Sequence, residues 1–160
     1  MPDWIEQAKQ RIDEDKEREK KDLEALRLKR DIVADQAPRL FEAVKEAVIA
    51  DIEKFNRHFP QYNEKLSDLQ MIGPKKFQVR RAYDPSFRLV VEITDSPCEI
   101  CYTIEIPNLI DGKTHVAYSD KFSFRLQAST ETVSLVKRNE ARTPEDVSQE
   151  LLMPALPGQF

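Results

Sequence analysis

The sequence predicts an α+β protein: a long N-terminal helical arm, an amphipathic helix packed across one face of an antiparallel meander of about five strands, and a short C-terminal helix. Three observations carry that expectation. Apolar residues recur at the helical period from Leu40 to Phe59, and the period changes to two after Pro74. The prolines fall at the joints between such runs and never inside a strand-like one, as a residue without an N–H donor requires. The expected organisation is an arm over 1–34, one α+β domain over 35–153 and a tail over 154–160.

The arm helix is expected from about Asp3 to Val33. Its middle, RIDEDKEREKKD, has no apolar face, but Glu14–Arg18 and Glu17–Lys21 are i,i+4 pairs with the acid first. Each contributes about 0.2–0.5 kcal/mol. Trp4, Ile5, Ala8 and Ile12 stand towards one end, and Leu23, Leu26, Ile32 and Val33 towards the other. A helix polar all round in its middle projects from a fold or bridges two parts of it. Ile5, Ala8 and Ile12 fit a heptad seam, whereas Asp15 and Glu19 stand where a long coiled coil needs apolar side chains.

Asp35 is expected to cap a second helix, with Pro38 in its first turn. Leu40, Phe41, Val44, Ala47, Val48, Ile52, Phe55 and Phe59 form one stripe, which needs a sheet or another helix to cover it. Pro38 leaves open whether the two helices form a kinked rod or a hairpin.

The strands follow as alternations. Phe77, Val79 and Tyr83 face inward, then Phe87, Leu89, Val91 and Ile93, then Cys98, Ile100, Tyr102, Ile104 and Ile106. Phe122, Phe124 and Leu126 come next, and Val133 and Leu135 close the series. One-sided alternation means an antiparallel sheet with one face on the core and one in water. A turn at Asp84-Pro85-Ser86 sets Tyr83 opposite Phe87, Val79 opposite Val91 and Phe77 opposite Ile93. The turn after Gln127 sets Leu126 opposite Val133 and Phe124 opposite Leu135. Asp111-Gly112 signals a hairpin, so Leu109–Tyr118 reads as a protruding hairpin or long loop. Thr143-Pro144-Glu145-Asp146 has the cap, proline and acids of a helix start, followed by Val147, Leu151 and Leu152.

Composition narrows the function. A chain of 160 residues supports one core and an appendage. Charged residues make up 34 %, yet 25 Lys+Arg against 29 Asp+Glu leave a net charge of −4, which argues against a generally basic nucleic-acid or membrane coat protein. With Gly73, Gly112 and Gly158 its only glycines, no glycine-rich phosphate loop is possible. No apolar run is long enough to span a bilayer, and MPDWIEQAKQ lacks the pattern of a signal peptide. Two cysteines suit a reducing cytoplasm, the expected location.

Chemistry-bearing residues are sparse. Cys98-Glu99-Ile100-Cys101 has C-x-x-C spacing, but residues three apart on a strand point to opposite faces, and His58 and His115 lack zinc-finger spacing. Asp111, Ser119 and Asp120 neighbour His115 without forming a recognisable catalytic set. Glu92, Glu99 and Glu105 against Arg80, Arg88 and Arg125 read as cross-strand ion pairs on a wet face. Lys75, Lys76, Arg80, Arg81 and Arg88 are answered by Asp84 alone, with Phe77, Tyr83 and Phe87 interleaved. Because the rings are aimed at the core, the segment reads as a charged protective edge strand. The apolar, proline-broken ending LLMPALPGQF suits a covering or docking segment.

The expected function is therefore a non-enzymatic interaction module, an adaptor or assembly subunit. It would bind a protein partner or a second copy through Trp4, Ile5, Ala8 and Ile12, with the tail as a further contact. The alternative is nucleic-acid or other anion binding through Lys75, Lys76, Arg80 and Arg88. A third reading places a small-ligand or hydrolase-type site, using His115, in a cleft between sheet and helix, provided Phe41, Phe55, Phe122 and Phe124 do not fill it. No catalytic residue, metal, cofactor or membrane contact is expected.

Overall fold

The computed structural model describes residues 3–81, 86–107, 114–127 and 129–156, with backbone alone at 107 and 114–117. Helix α1, Trp4–His58, is one continuous element of 55 residues, about 80 Å long. Asp3 caps it, its carboxylate accepting from the Ile5 N–H. The second helix start expected at Asp35 does not occur, and of the rod and the hairpin that Pro38 left open the structure is a single rod. Pro38 lies inside α1, where it removes one backbone hydrogen bond, but it stands on the exposed side of the rod. Ala37 and Phe41 on either side of it are buried against the sheet. Just before it, Gln36 donates to the Glu131 carbonyl at 2.8 Å and accepts from the Val133 N–H at 3.0 Å. Packing on both sides of the proline holds the rod together.

Among the described residues seven strands form one antiparallel meander in sequence order. These are β1 (Gln70–Gly73), β2 (Lys76–Arg81), β3 (Phe87–Ile93), β4 (Glu99–Pro107), β5 (Thr114–Gln127), β6 (Thr132–Lys137) and β7 (Glu140–Arg142). The two strands beyond the expected five are β1 and β7, each too short to show an alternation. Because β1 covers β2, the basic segment is not the edge strand it was read as. Asn56 prepares that edge by bonding both backbone groups of Leu66, at 3.0 and 2.9 Å, and Ser67 then bonds the backbone of Arg80.

The β5–β6 register is as expected, Leu126 opposite Val133 and Phe124 opposite Leu135. The β2–β3 register is shifted by two residues: Phe77 faces Val91, Val79 faces Leu89 and Arg81 faces Phe87. A shift of two keeps every apolar side chain on its face, so alternation alone does not distinguish the two registers. Tyr83, Asp84 and Pro85 lie outside the described residues, as do Asp111 and Gly112. Of the hairpin and the long loop expected over Leu109–Tyr118, Thr114–Tyr118 is strand, part of β5 paired antiparallel with β4.

Helix α2, Pro144–Leu152, starts with the expected cap: Thr143 and Asp146 exchange side-chain and backbone hydrogen bonds. Both helices lie on one face of the sheet. Phe41, Val44, Val48, Ile52 and Phe55 of α1 meet Phe77, Leu89, Val91, Ile100, Ile104 and Phe122, with Val147 and Leu151 of α2 completing the core. Ser148, fully buried, donates to Asp51 at 2.7 Å and ties the helices together.

Candidate functional site

Helix α1 passes through two environments. From Ala37 to Phe55 its apolar stripe is covered by the sheet and α2. Before Val33 the same rod is bare: Trp4 is 75 % exposed, Ile5 57 %, Ile12 53 %, Leu23 58 % and Leu26 46 %, with Ala8 half-buried. At about 100° per residue, Ile5, Ala8, Ile12, Leu23, Leu26 and Val33 fall on the same side of the helix as Phe41, Val44 and Val48. One apolar face therefore runs along α1, interrupted by charge at Asp15, Glu19, Asp22 and Arg30, and the body covers only its second half. Leu28, also exposed, lies on the opposite side.

Where the arm leaves the body, the structure opens into a groove of about 1150 Å³. Val33, Ala37 and Phe41 form one wall, and Ile93, Cys98, Phe124 and Leu126 form the other. Its rim is charged, with Lys29 and Arg30 on the helix and the Lys75–Asp95 ion pair, 2.5 Å, on the sheet side. Away from this mouth the space between helix and sheet is filled, with Phe55 and Phe122 buried, while the buried Phe41 and half-buried Phe124 line the mouth itself.

A second constellation lies on the inner face of the sheet beside α2. Lys137 is 9 % exposed, and its ammonium bonds the Tyr102 hydroxyl at 2.9 Å, Glu150 at 3.0 Å and Asp120 at 3.0 Å. It also sits 5.1–5.9 Å from the ring centres of Phe122, Tyr102 and Tyr118, within cation–π range. Asp120 in turn accepts from the Tyr118 hydroxyl and the Lys121 N–H, both at 2.8 Å. Burial alone would lower the affinity of Lys137 for its proton. The bonds to Tyr102, Glu150 and Asp120 outweigh burial and push its pKa up. For Asp120 burial acts upward, but hydrogen bonds from Lys121, Tyr118 and Lys137 bring its carboxyl down to about 2. Burial pushes the Tyr102 hydroxyl up to about 12, with the Lys137 hydrogen bond opposing. An ammonium with all three N–H groups engaged and its proton held this firmly serves neither as nucleophile nor as base. The cluster is a charged anchor between β4, β5, β6 and α2.

The remaining candidates are dispersed. Cys98 packs against the core while Cys101 lies on the opposite face, opposite Glu92, so the C-x-x-C thiols diverge as expected. Burial pushes both thiols up, with neighbouring acids adding to it. His58 is the exposed last residue of α1. His115 pairs in β5 with Ile106, and its side chain lies outside the described residues. Ser119 and Asp120, adjacent on β5, point to opposite faces, so these two do not share a site.

Of the basic residues, Lys75 is paired with Asp95, and Arg88 bonds Gln78 at 3.1 Å and Glu105 at 2.9 Å. Arg80 is exposed and Lys76 half-buried. Arg81, brought inward by the register, donates to the Ala155 carbonyl at 2.7 Å and fastens the C-terminal turn. Phe77 and Phe87 are buried, so neither ring offers a stacking surface. The wet face also carries Lys121–Glu99, 2.9 Å, in place of a pair to Arg125.

The Lys137 cluster went unread in the sequence, though a signal existed. Lys137 continues the inward parity of Val133 and Leu135, and Asp120 shares the parity of Phe122 and Phe124. Opposite charges on the apolar parity of neighbouring strands mark a buried pair. Among the described residues, no cluster of three or more His, Cys, Asp or Glu is placed to hold a metal, and no helix is long and apolar enough to cross a membrane. Comparison with protein-family models, with curated proteins and with solved structures finds no match.

Proposed function

We propose that this chain is a non-enzymatic interaction module whose arm presents the apolar face of Trp4, Ile5, Ala8 and Ile12, continued by Leu23 and Leu26, to another protein chain. The observation that carries this reading is the continuity of that face with the core stripe of α1. A helix that buries its stripe at one end and leaves it bare for some 30 residues (about 45 Å) at the other carries a surface in want of a cover. The body supplies a fixed base, anchored by Gln36 and the Ser148–Asp51 bond. Two cysteines are too few for a disulfide framework, which suits a reducing compartment, and we assign the chain to the cytoplasm on that ground.

A photo-activated cross-linking side chain placed at Ile12 of the full chain, in the cell, tests the reading. Placed at Lys21, on the opposite side of the rod, it serves as control. Protein adducts from position 12 and none from position 21 are expected. Equal adducts at both positions, or none at either, would overturn the proposal.

A further inference from the structure

We infer that the groove where the arm leaves the body is a binding site for a small amphipathic anion, an apolar chain ending in a carboxylate. Such a site belongs to the junction of α1 with the sheet and stands whether or not the tip of the arm meets a partner.

The walls are the first support. On α1, Lys29, Val33, Ala37 and Phe41 follow one another at four-residue spacing, a row about 18 Å long that changes from cationic to apolar. Arg30 stands beside the outer end of that row. The facing wall of Ile93, Cys98, Phe124 and Leu126 comes from β3, β5 and the residue before β4. Inward the space closes where Phe41 packs on Phe77, 5.6 Å between ring centres. A cleft blind at its apolar end and charged at its open end orients a ligand with one apolar and one charged part. At about 1150 Å³ it is as large as the roomiest small-molecule sites, which run to about 1,000 Å³.

The sign of the charged part follows from how the rim charges are answered. Lys75 is paired with Asp95, and Glu42 with Lys45 at 2.9 Å, so these four cancel. Among the described residues lining the groove, Lys29, Arg30 and Arg125 then have no acid in ion-pair contact, against Asp31 as the one acid without a cation. All three cations are exposed and come from both walls, Lys29 and Arg30 from α1 and Arg125 from β5. That arrangement favours an anion seated between helix and sheet. A cationic amphiphile finds Asp31 alone, and a neutral one forfeits the rim.

Binding, not hydrolysis, is what the groove supports. His115 stands nine residues before Phe124 on β5, about 30 Å along the strand, and does not reach it. Cys98 in the apolar wall is half-buried, and Cys101, also half-buried, lies on the opposite face of the sheet. The chain therefore carries one thiol inside the groove and one outside it.

Alkylation of the full chain by iodoacetamide, followed at each cysteine by mass spectrometry, tests the site. Dodecanoate at about 1 mM should slow modification of Cys98 at least about 5-fold and leave Cys101 unchanged. Dodecyltrimethylammonium at the same concentration should slow it less than about 2-fold, although a net charge of −4 favours the cation in unspecific adsorption. In Arg30→Glu/Arg125→Glu, about 10-fold more dodecanoate should be needed for the same protection. Lys54→Glu/Arg57→Glu, the same change of charge at exposed positions near the far end of α1, should behave as the parent chain. Protection of Cys98 by both amphiphiles alike would show a crevice that does not select an anion, and would overturn the assignment. So would equal protection of both cysteines, no protection of Cys98, or undiminished protection in Arg30→Glu/Arg125→Glu. Cross-linking at position 12 reports on the arm separately and is untouched by any of these outcomes.

Discussion

The two parts of α1, 4–33 and 37–58, follow the same helical rules and differ in what surrounds them. In the second part, each large apolar residue on the stripe meets the sheet or α2, and burial of such a side chain is worth about 1.5–3 kcal/mol. In the first part, residues of the same kind on the same face meet water. The contrast teaches that the stripe alone does not define the domain: its boundary lies where β5 and β6 end their cover, near Val33 and Ala37, and no break in the helix marks it.

Substitutions sharpen that contrast when ranked by their effect on unfolding of the full chain. Phe122→Ala removes a fully buried ring between α1 and the Lys137 cluster and should cost about 3–5 kcal/mol in a urea melt. Lys137→Met, which leaves Asp120 and Glu150 without their shared cation, should cost about 3 kcal/mol. A loss near zero would show that the cluster is solvated and not an anchor. Ile12→Ala, by contrast, should change unfolding of the monomeric body by less than about 0.5 kcal/mol. A large loss there would erase the distinction between arm and body.

Acidity gives a further test of the body. Asp120 is held down at about 2 from a usual 3.8, so its contribution is present above pH 4 and is lost as the pH falls through 2. Asp120→Asn should therefore be less stable than the parent chain at pH 7, with the gap closing between about pH 4 and pH 2. A gap independent of pH would mean that the carboxylate is not the group at work. Tyr102, pushed up to about 12, acts at the other extreme: its contribution is present below about pH 10 and is lost as the pH rises through 12.

Much of the fold was legible because period and caps are local. The stripe from Phe41 to Phe55, the alternations in β2 to β6 and the Thr143 cap all appear where their residues predict. The failures are those of long-range choice. A two-residue slip of β2 on β3 preserves every face, so Val79 and Phe77 do not reveal their partners. Pro38 is a strong local stop, overridden by Ala37, Phe41 and Gln36, whose partners lie far along the chain. Of the candidate site, the exposed residues Trp4, Ile5 and Ile12 were readable, and Ala8 is half-buried. The continuity of their face with the core was not readable, because it depends on α1 being one rod. Lys137 was missed because Tyr102, Asp120 and Glu150 reach it from three separate elements.

The unbroken passage of α1 through Pro38 also bears on how the arm stays ordered. An isolated helix must form its first turn unaided, the least favourable step in the helix–coil equilibrium. Here the turns at Ala37–Phe55 exist whenever the body is folded, so the arm is a helix extended from a standing nucleus and melts from its free end alone. Amide exchange along α1 should therefore slow steadily from Ile5 towards Val33, as in a zipper opened from one side. A partner docking on Leu23 and Leu26 would find turns already formed, and its binding would supply the entropy of ordering only the frayed end around Trp4.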